Sequence, residues 1–142
     1  MSLINKYRKL SNNEKMILID TYFTSIKIRY FIKFFKMPYY VKLLGTKGEK
    51  SVNADIDIKQ KDIIIKNVKR VSRYSFWRTK CFEEAFVAKL LLQKYDIQST
   101  IYFGVKKNET STLDAHSWLK IGDNCIIGCG GIDKYTVTEY FT

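Results

Sequence analysis

Apolar residues recur every three to four positions in three stretches and every second position in the last third of the chain. This change of period predicts helices followed by strands. In residues 77–92 (WRTKCFEEAFVAKLLL), Cys81, Ala85, Ala88 and Leu92 stack on one side of a helix. Phe82, Phe86, Val87, Leu90 and Leu91 cover most of the rest, so this helix has little wet surface. Thr79 can cap its start. A second helix is expected over residues 11–36. Ser11 and Glu14 have capping-box spacing at its start, and Pro38 disfavours helix just beyond its end. Its apolar stripe (Ile19, Phe23, Ile26, Tyr30) is expected to pack on its own domain, with Asp20, Lys27, Arg29, Lys33 and Lys36 facing water. Residues 61–73 predict a third helix, with Ile64, Val68 and Val71 on one face, and residues 45–60 read as a loop. Leu113, Ala115, Ser117 and Leu119 alternate with Asp114, His116, Trp118 and Lys120, which predicts a strand over residues 115–121. Further strands are expected over 99–106, 124–127 and 134–140, with a turn at Gly122-Asp123-Asn124. Segregated helices followed by an antiparallel sheet make an α+β fold.

Composition narrows the function classes. The 142 residues suit one domain, and 46% hydrophobic residues suffice for a core. Residues 1–10 are too short and too polar for a signal peptide. Residues 11–36 resemble a membrane span only superficially, because Asp20, Lys27, Arg29 and Lys33 interrupt them. Stable membrane insertion is not expected; a helix lying on a membrane surface is the lesser alternative. The formal charge of +11 divides as +8 over residues 1–50, +4 over 51–100 and −1 over 101–142. That excess invites a nucleic-acid reading. The basic residues, however, are lysines scattered over helices, no nucleic-acid motif is present, and no nucleic-acid partner is expected. The three cysteines, Cys81, Cys125 and Cys129, do not form a secreted disulfide framework. They are expected to be reduced thiols in a cytoplasmic protein. With one histidine, the Cys125-x-x-x-Cys129 pair does not make a zinc site, and no cofactor is expected.

Two residues carry candidate chemistry. Cys81 falls in the first turn of its helix, where free backbone N–H groups and the helix dipole favour an anion and Arg78 and Lys80 add positive charge. That setting suits a thiolate nucleophile; the alternative is a small core residue. His116, on the strand, is the chain's one histidine and the candidate general base.

Trp77-x-x-x-Cys81, a long apolar helix, the run IQSTIYFGV (97–105) and Ala115-His116-x-Trp118 follow one another in an order that resembles the leader peptidases of lasso-peptide biosynthesis. These are cysteine proteases of the transglutaminase-like, papain-related superfamily. The resemblance covers residues 55–142 as a catalytic core, with 1–44 as an N-terminal helical part of the same single domain. It implies Cys81 as nucleophile, His116 as base, and Trp77 and Trp118 shaping the substrate site. It implies as partners a precursor peptide, a separate leader-recognition protein and an ATP-dependent lasso cyclase. Phe82 stands where the family usually has Leu, and Lys120 where Glu is common. Many relatives carry an Asp twelve residues after the His; here that position is Gly128. The group that orients His116 is therefore open among Asp114, Asp133, a backbone carbonyl and water, with Asp114 ranked first because it shares a strand face with His116. The same Cys and His would also serve a transglutaminase or other acyltransferase. A non-catalytic basic binding module, with Cys81 in the core, is the alternative outside enzymes.

Overall fold

The computed structural model describes residues 3–49, 56–75 and 80–142. Helices α1 (Leu3–Arg8), α2 (Asn12–Phe34), α3 (Met37–Tyr40), α4 (Ile58–Tyr74) and α5 (Cys81–Lys94) precede strands β1 (Thr100–Lys107), β2 (Leu113–Ile121), β3 (Asn124–Ile127) and β4 (Thr136–Phe141). Short 3-10 turns at Val41–Leu44 and Ile132–Lys134 complete the described elements. The architecture is the expected α+β. The sheet is antiparallel throughout, in the order β3-β2-β1-β4. β4 thus returns past the β1–β2–β3 meander to the far edge of β1, a Greek-key path.

α5 is the central element. Ala85, Phe86, Ala88, Leu91 and Leu92 are all fully or almost fully buried, and the helix packs against α2, α4, β1, β2 and β3. On the sheet, Ile101, Leu119, Ile121, Ile127 and Phe141 meet it as one core. Ile64, Val68 and Val71 of α4 are buried as their spacing predicts, and Asp57 caps that helix by accepting from the Gln60 amide. Lys89 lies inside this core. Its ammonium donates to the Ser99 carbonyl at 2.7 Å, and burial pushes its pKa down to about 8.

α2 begins with the expected capping box. Ser11 Oγ accepts from the Glu14 amide, and Glu14 accepts from the Ser11 amide. These bonds, with the backbone one the larger, hold the Glu14 carboxyl below its ordinary pKa. The face that packs is not the expected one, however. Ile17, Thr21, Ser25 and Ile28 are buried, whereas Ile19, Phe23, Ile26 and Tyr30 are exposed. The reason is steric. Thr21 and Ser25 are small enough to let α2 close on Val68, Val71 and Val87, around one shared small void. The Thr21 hydroxyl donates to Ile17 O at 2.6 Å, so its burial leaves no orphaned polar group. Among the described residues no helix is long and apolar enough to cross a membrane.

A second correction concerns the thiols. Cys125 and Cys129 are joined by a disulfide, not left reduced. The turn after β3 brings their Cα atoms to 5.7 Å, within bridging range.

Candidate functional site

Cys81 is the first residue of α5 and is the free cysteine, half-buried. Lys80 occupies the cap position and offers no side-chain hydrogen bond; the expected capping residue, Thr79, lies outside the described residues. The first-turn amides therefore keep their capacity to donate to an anion. Of the two acids of that turn, one has a counter-ion. Glu83 is paired with Arg29 at 3.3 Å, and burial raises the Glu84 carboxyl, an effect that Lys69 partly offsets.

His116 sits on β2 opposite Gly104 of β1. Its Nε2 lies 2.7 Å from the Gly128 carbonyl oxygen. A carbonyl only accepts, so Nε2 carries the hydrogen and the neutral ring presents Nδ1 as a free lone pair. Trp118 stands two residues on, on the same face, with its ring 6.0 Å from the imidazole. Trp118 in turn stacks on Tyr102 at 5.7 Å and an interplanar angle of 4°. At 3% exposure, Trp118 is a wall beneath His116 rather than an open substrate surface. Trp77 lies outside the described residues.

Asp114 is not the orienter in this arrangement. Its exposed carboxylate accepts from Asn108 Nδ2 at 3.4 Å, in the β1–β2 loop, and makes no hydrogen bond to His116. The reason is position along β2: Asp114 lies one pleat nearer the hairpin tip, whereas Gly128 follows β3, the strand beside β2. Asp133, the other acid considered, falls in the 3-10 turn before β4 and likewise makes no hydrogen bond to the ring.

Three residues near the ring were not anticipated. Tyr135 places its ring 5.1 Å from that of His116, and the Lys106 ammonium lies 4.9 Å from the Tyr135 ring centre. Gly104 allows the Trp118 ring to cross β1, since a Cβ there would stand 2.8 Å from Trp118 Cη2. Beyond these, Cys129 follows Gly128 directly and with Cys125 closes the turn that presents the carbonyl. Only Gly104 had a signal in the chain, as the glycine of the IYFGV run.

The fold brings Cys81 and His116 toward one end of the α5–sheet pair without joining them. Phe82, next to Cys81, has its ring 5.4 Å from Phe103, and Phe103 pairs with Ser117, next to His116. Phe103 faces α5, whereas His116 lies with Trp118 and Tyr102 on the other face of the sheet. No hydrogen bond links Cys81 Sγ to the His116 ring among the described residues.

The family model of the transglutaminase-like superfamily matches residues 37–139, a span that contains Cys81, His116 and Gly128. That superfamily includes cysteine proteases and acyltransferases. No curated protein and no solved structure matches the chain.

Proposed function

Because the chain belongs to the transglutaminase-like superfamily, we propose that it is a cysteine peptidase that removes the leader from a ribosomally made lasso-peptide precursor. The observation that carries the Cys–His part is the Nε2–Gly128 hydrogen bond, which makes Nε2 the hydrogen-bearing nitrogen and, in the neutral ring, Nδ1 the proton acceptor. The lasso-specific part rests on the order of Trp77, Cys81, the 97–105 run and His116-x-Trp118.

In this reading Nδ1 takes the proton of Cys81 Sγ, and the thiolate attacks the scissile carbonyl. The first-turn amides of α5 donate to the oxyanion. The imidazolium then protonates the leaving amine, the thioester remains on Cys81, and water hydrolyses it. Gly128 O stabilises the charged ring through a backbone dipole instead of a carboxylate. Because α5 covers the face of the sheet opposite to His116, completing the Cys81–His116 pair requires the helix start to move round the sheet when substrate binds. A separate recognition protein would present the leader, and the freed core peptide would pass to an ATP-dependent cyclase.

That α5, which carries Cys81, packs on one face of the sheet while His116 lies on the other favours a second reading, a non-catalytic basic binding module. One experiment separates the two. Purified chain is mixed with a precursor peptide and its recognition protein, and products are followed by mass spectrometry, with iodoacetamide labelling of Cys81 in parallel. Leader release together with Cys81 labelling faster in wild type than in His116→Ala supports the peptidase. No release and equal labelling supports the binding module. Release only with an added amine, which appears on the new C-terminus, would identify acyl transfer.

A further inference from the structure

The face of α2 turned away from the core has a regular spacing of its own. Met16, Ile19, Phe23, Ile26 and Tyr30 are between 41% and 65% exposed. They follow one another at steps of three, four, three and four residues. That is the spacing of a coiled-coil seam, and Tyr22 and Phe34, exposed beside it, widen the apolar strip. Basic residues lie beside the seam too. Lys15 and Lys27 flank it; they make no ion pair among the described residues, and their ammonium groups lie over the rings of Tyr7 and Phe31. The nearby acid, Asp20, is held by Lys94.

At its N-terminal end the seam runs into a groove of about 400 Å³ between α1, α2 and α4, walled by Tyr7, Ile19, Phe23, Val71 and Tyr74. A basic trough of about 490 Å³ adjoins it, lined by Lys66, Lys69, Arg70 and Arg73 among others.

We propose that this face docks one α-helix of a partner protein, apolar at heptad spacing and acidic along its flanks. Charge selects the occupant. A second copy of this chain would set a flank carrying Lys15 and Lys27 against a like flank, and like charges at flanking positions oppose pairing. Shape favours a helix, because the concave groove between α1, α2 and α4 can seat one. The inference does not depend on the chemistry of Cys81 and His116.

The test uses the full chain and a synthetic four-heptad peptide with Leu at the core positions and Glu at the flanking ones. A twin peptide with Lys at the flanks is the control. Fluorescence anisotropy should show the Glu peptide binding at least about tenfold more tightly than the Lys peptide, with affinity falling as salt rises. Phe23→Glu with Ile26→Glu should remove that binding and leave Tm and far-UV dichroism unchanged, since both side chains are exposed. Lys15→Glu with Lys27→Glu, which spares the seam, should narrow the preference between the two peptides. Equal affinity for both peptides, or none for either, would overturn the proposal. So would binding to phosphatidylglycerol vesicles, or a concentration-dependent dimer in ultracentrifugation, that the Phe23/Ile26 variant abolishes.

Discussion

His116 donates through Nε2 to the carbonyl oxygen of Gly128, 2.7 Å away and twelve residues along the chain. The position where many relatives place a carboxylate here supplies a backbone oxygen. A carbonyl fixes the tautomer as a carboxylate does, but it carries only a partial charge to balance the imidazolium.

Installing an acid at that position is therefore expected to fail. Gly128 has φ +69°, and a Cβ built on it would lie 2.5 Å from Ser117 O. Gly128→Asp and Gly128→Ala should both destabilise by at least about 1–3 kcal/mol, and neither should speed cleavage. Thermal melts and kcat check this. A stable Gly128→Asp enzyme with a raised kcat would contradict the geometry.

If the peptidase reading holds, Cys81→Ala and His116→Ala should each lower kcat by at least about 10³ with the fold intact. Asp114→Asn should stay within roughly twofold of wild type, as expected for an exposed carboxylate bonded only to Asn108. Circular dichroism and single-turnover cleavage provide the comparison, and a severe Asp114→Asn defect in kcat would return the orienting role to that acid.

Cys125→Ser with Cys129→Ser should cost roughly 2 kcal/mol, the closure entropy of so short a loop. Cys81 should still label with iodoacetamide, because neither bridge cysteine belongs to the candidate chemistry. The readout is a denaturant melt with and without dithiothreitol. If reductant leaves the wild-type midpoint unchanged, the bridge does not stabilise the turn.

Lys89 provides a pH test. Its folded pKa is lowered from 10.5 to about 8 by burial, so in the alkaline window the unfolded chain binds more protons than the folded one. The cost of burying the charged ammonium is fully present below about pH 8 and declines as pH rises toward 10.5. Lys89→Met removes that titration, though it also strips the Ser99 carbonyl of its donor. The Tm of wild type relative to the variant should therefore rise between pH 8 and pH 10. Parallel Tm curves would show that Lys89 keeps an ordinary pKa.

The elements themselves were legible because each buries one side of a regular period. Ile64, Val68 and Val71 marked α4, and the alternation through Leu119 marked β2. α2 shows the limit of that logic. Its apolar stripe was plain, but a period tells which face is apolar and not which face is covered. Thr21 and Ser25 won the interior by allowing close approach. At the site, Cys81 could be placed at a helix start and His116 on a strand from the chain alone. The imidazole's partner could not, since a backbone carbonyl has no letter of its own. Tyr135 is in the same position, because only the return of β4 carries it to the ring. The Cys125–Cys129 spacing suits free thiols or a bridge equally, and the turn through Gly128 decides between them.

The path of β4 also sets an order of events during synthesis. β1 can pair with β2 only once both have left the ribosome, and its other edge has no partner strand until residues 136–141 emerge. Until then the Ile101–Phe141 pairing is missing, and α5 covers a sheet that lacks its last strand. Tyr135, just ahead of β4, reaches His116 only at that late stage. The candidate catalytic base thus gains Tyr135 as a neighbour only after α5, the β1–β2 hairpin and β3 have been made.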